Sequence, residues 1–316
     1  MPALVAAMVA FALLGSTMRT AVNDSDALAT AGTIFAGVFV QALPFLAVGV
    51  LLSALIAVFV TPDRLARWLP KRPGAAVLVA AASGAALPGC ECGSVPVARR
   101  LFGEGAIGAA ALTFMLAAPA INPVVVVSTV VAFPGQPQMV FARVGASLIT
   151  AIVMGLAWSR WGRTEWITRR LPPRTAGQGP RWLTFTEAAR HDFIQAGSYL
   201  VIGAAAAAAL HVVVPDWMIE QLAGQLLLGV LVMALLAVVL ALCSEADAFV
   251  AASLTMVPLV PRLVFLVVGP AIDVKLFAMQ SGMFGRAFAI RFAPATFVVA
   301  TISATVVGLL VLGGNA

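Results

Sequence analysis

Between Ile34 and Val60 the chain carries no charged side chain. The runs Gly105 to Phe133 and Leu222 to Leu242 are equally free of charge, and Ala287 to Leu312 contains only Arg291. A helix of about 20 apolar residues crosses the hydrocarbon core of a bilayer, so these runs dictate membrane-spanning helices. Composition agrees: 62% of residues are hydrophobic and 10% charged, against roughly 25% charged in a soluble domain. That leaves too little charge for a water-soluble surface and too much hydrophobicity for a disordered chain. Barrel strands alternate apolar and polar residues, and these runs do not. The expected fold is an all-α polytopic membrane protein of about eight transmembrane helices with broken or re-entrant segments. The run Pro2 to Met18 has no basic residue before it and no clear cleavage site, so it is expected to be a retained helix.

The formal net charge of +6 comes from basic residues gathered between apolar runs. The positive-inside rule accounts for that placement, and no nucleic-acid partner is expected. Arg64, Arg67, Lys71 and Arg72 follow the first long run. Arg160, Arg163, Arg169, Arg170, Arg174, Arg181 and Arg190 crowd a central stretch that contains the turn-rich "LPPRTAGQGP". Both stretches are expected to be cytoplasmic, as is the N-terminus, in a plasma (inner) membrane protein. Lys275, Arg286 and Arg291 fit the same inner face. The chain accordingly divides into an N-terminal helix and outer loop (1–30), a first unit (31–159), a basic linker (160–190) and a second unit (191–316).

The two units echo each other. "TPDRLARWL" from Thr61 aligns with "VPDWMIEQL" from Val214, and the same offset of 153 residues places Cys90 on Cys243. "PAIN" from Pro119 matches "PAID" from Pro270 at an offset of 151. The first loop is basic and its counterpart holds Asp216 and Glu220, so equivalent loops fall on opposite sides. That is the signature of an inverted repeat, a common transporter construction.

Four interruptions fall within the apolar segments: "LPGCECGSVP" from Leu87, "APAINP" from Ala118, "ALCSEADAF" from Ala241 and "GPAID" from Gly269. Broken backbone inside a bilayer is tolerated only where protein or a cavity satisfies it, and paired broken helices mark solute sites. Pro88, Gly89, Gly93, Pro96, Pro119, Pro123, Gly269 and Pro270 are the residues expected to break and pack these helices. Cys90, Glu91, Cys92, Asn122, Cys243, Glu245, Asp247 and Asp273 are expected along a substrate or ion path, because ionisable groups inside a membrane are functional by default. Each has a plainer reading. The cysteines could be small core residues or, for Cys90 and Cys92, soft-metal ligands. Glu245 and Asp247 could relay a proton or cation, or lie in a surface loop. Asn122 and Asp273 could bind a polar solute or cap half-helices. Arg143 is expected to snorkel to the headgroups, and Arg99, Arg100 and Glu104 to form a wetted turn. His191 and His211 read as interfacial. No nucleotide, haem or hydrolase motif occurs, and no cofactor is expected.

The core C-x-C-G with its proline (Cys90, Cys92, Gly93, Pro96), the basic pair Arg99 and Arg100, and the segment ending in P-A-x-N-P (Pro119, Asn122, Pro123) resemble the predicted permease family that includes the organoarsenical efflux permeases. The resemblance runs from about Phe35 to the C-terminus. It implies an inner-membrane permease. Some members export trivalent organoarsenicals, and others form one part of a two-component permease with a second membrane subunit. Members commonly have a small polar residue between the two cysteines. Glu91 stands there in this chain and shifts the expectation toward a cation.

Three functions follow from these residues. The first is a permease exporting a thiophilic metal or metalloid, such as a trivalent organoarsenical or soft metal ion. The second is a membrane subunit of a two-component permease or channel. The third is an intramembrane thiol enzyme, which lacks a histidine near its cysteines to act as base. The partners expected are the lipid bilayer, a small inorganic or organometalloid solute and a second membrane subunit.

Overall fold

The computed structural model describes residues 26–59, 70, 72–84, 91–103, 107–167, 181–213, 226–255 and 257–313. The retained helix expected at Pro2 to Met18, residues 64–69 and 71 of the basic loop, Pro88, Gly89, Cys90, Glu104, most of the central linker, and Asp216 with Glu220 lie outside these residues. So does the side chain of His211. Arg181 to Arg190, which composition groups with the linker, form the first turns of a long helix.

Twelve α-helices occur among the described residues, with no strand. They are α1 (Asp26–Phe59), α2 (Pro73–Gly84), α3 (Glu91–Gly103), α4 (Gly108–Ile121), α5 (Pro123–Ala132), α6 (Pro137–Trp161), α7 (Arg181–Val213), α8 (Leu226–Leu240), α9 (Ser244–Ser253), α10 (Leu259–Ala271), α11 (Val274–Met283) and α12 (Arg286–Val311). Among the described residues four stretches are long and apolar enough to cross a membrane: Gly108–Ala132, Pro137–Trp161, Leu259–Met283 and Arg286–Val311. The first joins α4 to α5 across a break, and the third joins α10 to α11. At 25 residues, each is about 37 Å long if helical throughout. The molecule is a multi-pass helical membrane bundle.

Helix lengths pair off in chain order. The long α1 has 34 residues and α7 has 33. The half-helices α5 and α11 have 10 each, and the spans α6 and α12 have 25 and 26. α4 packs between α2 and α6, and α10 packs between α8 and α12. The two long helices pack on each other, α1 also on α3 and α7 also on α11. Small residues permit the close crossings, as expected between membrane helices. A side chain at Gly49 in α1 would overlap the Gly93 backbone in α3.

The interior holds an aromatic stack of Phe102, Trp158, Phe284, Phe288 and Phe292. The outside is apolar: α6 exposes Phe141 and Ile149, and α12 exposes Val298, Ile302 and Leu310. Such stripes would associate in water and are at ease against lipid tails.

Candidate functional site

The broken spans are built the same way. Proline at 123 restricts the residue before it to extended backbone, so α4 stops and Asn122 adopts φ −67°, ψ 158°. The Asn122 side chain then joins both helix ends. Its Oδ1 accepts from the Val125 N–H at 3.0 Å, and its Nδ2 donates to the Ala118 carbonyl at 3.0 Å. Proline is favoured at the first helical position because that N–H has no helix partner. In the other span Asp273 is extended and its Oδ1 accepts from the Leu276 N–H, starting α11. Asn122 and Asp273 are fully buried caps. Pro119, Gly269 and Pro270 occupy the last turns before these breaks. Pro119 has no N–H for the Met115 carbonyl, and Ser94 Oγ donates there at 3.1 Å. Gly93 and Pro96 lie inside α3 rather than in an interruption.

The first residues of three half-helices meet. Glu91 opens α3, Ser244 opens α9 and Lys275 is second in α11. Lys275 Nζ lies 2.5 Å from Glu91 Oε1 and 3.6 Å from Asp273 Oδ2, and it donates to the Ala241 carbonyl at 3.3 Å. Ser244 Oγ donates to Glu91 Oε2 at 3.1 Å. Arg143 of α6 donates to Thr129 Oγ1 of α5 at 2.7 Å and to the Ser244 carbonyl at 2.8 Å. Glu91 is 1% exposed and Lys275 0%. The positive ends of three helix dipoles favour Glu91 here. Ala241, which breaks the α8–α9 connection, has φ +47°, a region non-glycine residues rarely occupy.

Around this ion pair the carboxylates outnumber the cations. Asp247 and Glu245 lie within electrostatic reach of Arg143. Asp247 Oδ2 and both Glu245 oxygens are buried without a hydrogen-bond partner. Cys92 and Cys243 are both buried. Among the described residues no three His, Cys, Asp or Glu side chains are grouped to hold a metal ion.

A second buried cluster lies farther along α3. Asp192 of α7 accepts from Ser53 of α1 at 2.6 Å and from Arg100 at 3.2 Å. Arg99 donates to Gln195 at 2.6 Å, and Gln195 donates to the Gly282 carbonyl of α11 at 3.4 Å. Arg99 and Arg100 are 4% and 2% exposed. The wetted turn expected from sequence is therefore a buried tie between helices. Arg143, expected among headgroups, and Lys275, expected at the inner face, are buried in the centre as well. Positive-inside counting places isolated cations at the interface. The signal available for Lys275 was its position two residues after Asp273 in an apolar segment, and for Arg143 its place at the head of an apolar run. His191 is exposed.

Residues 27–309 match the model of a family described as "Predicted permease". The UPF0718 protein YcgR of Bacillus subtilis (strain 168) is 36% identical over 262 residues, covering 81% of this chain and 89% of its own. A putative two-component membrane permease complex subunit of Streptococcus mutans serotype c is 31% identical over 284 residues, covering 88% of this chain and 94% of its own. No solved structure matches the chain.

Proposed function

The chain belongs to this predicted permease family and is a membrane transporter rather than an enzyme, and we propose that it carries a small thiophilic metal or metalloid species outward across the plasma membrane through the meeting point of its half-helices. One observation carries the reading: the buried Glu91–Lys275 pair, which joins the first half of the chain to the second where three helix N-termini converge. Polar groups buried in a bilayer and held at broken helices are the usual furniture of a transporter's central site. The thiols Cys92 and Cys243 are in the same region, since each is the chain neighbour of the residue that opens its half-helix, Glu91 in α3 and Ser244 in α9. With Cys90 they are the soft donors suited to As(III)-like species or soft metal ions. The architecture proposed is an inverted repeat of about eight spans, with the N-terminus and the basic linker inside. The pairing of helix lengths and the shared Asn122 and Asp273 caps support it. Rocking of one half against the other would expose the site alternately to the two sides.

A second reading rests on the Streptococcus relative described as a putative complex subunit: this chain would work with a separate membrane partner. Purified protein in liposomes separates the two. Efflux of methylarsenite or arsenite by this chain alone supports the complete permease, and flux only with a co-purified subunit supports the second reading. Replacing Cys90 and Cys92 with Ser is expected to abolish that flux while membrane insertion persists. Unchanged flux would remove the thiols from the path.

A further inference from the structure

Ser94 and Asp247 are each the fourth residue of a half-helix, α3 and α9. The first residues of those helices, Glu91 and Ser244, bond each other. In α4, Pro119 leaves the Met115 carbonyl without its in-helix donor, and the Ser94 hydroxyl supplies one. In α10, Pro270 does the same to the Leu266 carbonyl four residues before it. Asp247 lies against this turn: a Cβ on Gly269 would come within 2.7 Å of Asp247 Oδ2. Where the first half has a hydroxyl that donates, the second has a carboxyl, and an ionised carboxylate has no hydrogen to give. Its Oδ2 is buried with no hydrogen-bond partner, in a residue 2% exposed.

The geometry points to a proton-binding site at Asp247, whose protonated carboxyl donates to the Leu266 carbonyl as Ser94 does to Met115. One O–H bond forms at Oδ2 with a proton drawn from water. The donor, a hydronium ion, loses one O–H bond as this one forms, and the reverse exchange returns the proton to water. The charged groups facing Asp247 are Arg143 on α6, Glu91 on α3, and Lys275 and Asp273 on α11, with Glu245 on its own helix. The neighbouring α5 carries no charge. The one charged residue of α10, Arg262, is bonded to the carbonyls of Thr255 and Val257 at the far end of α9. Arg143 spends two of its donors on Thr129 and the Ser244 carbonyl, which leaves the Asp247 carboxylate poorly compensated and favours its neutral form. The assignment of this proton as the coupling ion rests on the permease reading. The site itself does not.

The test is infrared spectroscopy of the full chain in nanodiscs, titrated from mildly acid to mildly alkaline pH, with and without aspartate carrying carbon-13 in its carboxyl. The expected result is a protonated-carboxyl C=O band in the wild type that shifts with the label, is lost in Asp247→Asn and persists in Asp273→Asn. Gly269→Ala, which fills the space beside the carboxyl, is expected to shift that band. A wild type with no label-sensitive protonated-carboxyl band overturns the proposal, as does a band that survives Asp247→Asn. If Asp247→Asn does not fold, Asp247→Ser replaces it, since it installs the hydroxyl that Ser94 already carries. The readout involves no solute, so failure of the permease reading appears in the flux assay and not here.

Discussion

The half-helices α3 and α5 meet opposite fates. Every residue of α3 from Glu91 to Arg100 is buried. In α5 only Val125, Ser128 and Thr129 are buried, while Val124, Val127, Val130 and Val131 face outward. The cause is the placement of the long helices. α1 lies along α3 and α7 along α11, and no comparable interface joins α1 to α5 or α7 to α9 among the described residues. The α3–α11 end is also fastened by Arg99, Arg100, Asp192 and Gln195. The α5–α9 end has Arg143 but, among the described residues, no carboxylate bonded to it. Among the described residues, one side of the central ion pair is thus covered and tied by the long helices, and the other is not.

The largest effect is expected at the joint that both ends share. Lys275→Met leaves Glu91 buried without its cation and should destabilise the protein by about 3–5 kcal/mol, read as a lower thermal midpoint in detergent. Adding Glu91→Gln should recover most of that loss, and no recovery would mean that the pair is not coupled. Next comes the tie at the α3 end. Asp192→Asn keeps an acceptor for Ser53 but removes the charge facing Arg99 and Arg100, a loss of about 2–3 kcal/mol. Accessibility of an introduced cysteine at Ser53 should rise with it.

Matched valines sharpen the contrast. Val95→Ala in α3 should cost about 1–3 kcal/mol, because it empties space in a packed interior. Val127→Ala in α5 should stay within about 0.5 kcal/mol, because its side chain faces outward. Equal costs in the same thermal assay would mean that α5 is covered as α3 is. An effect between those of the two valines is expected at the α5 cap. Asn122→Ala should lose about 1 kcal/mol, and Asn122→Asp, which still accepts from Val125 but loses the donor to the Ala118 carbonyl and buries a charge, should cost no less.

The sequence by itself determined the class of fold, because charge-free runs long enough to span a bilayer have no other stable environment. It also located the breaks near Asn122 and Asp273, because proline and a capping side chain act within one helical turn and need no distant partner. Local chemistry has no means of indicating which buried charges meet. Lys275 and Glu91 are 184 residues apart, and Asp192 and Arg100 are 92 apart. A lone lysine or arginine beside an apolar run has the same sequence signature whether it reaches the headgroups or a buried carboxylate. Gly93 and Pro96 likewise read as helix breakers, and only the crossing of α1 over Gly93 shows why a glycine is accommodated inside α3. The tertiary structure alone decided those pairings, because the free energy that holds a charge inside a bilayer comes from the partner that packing brings to it.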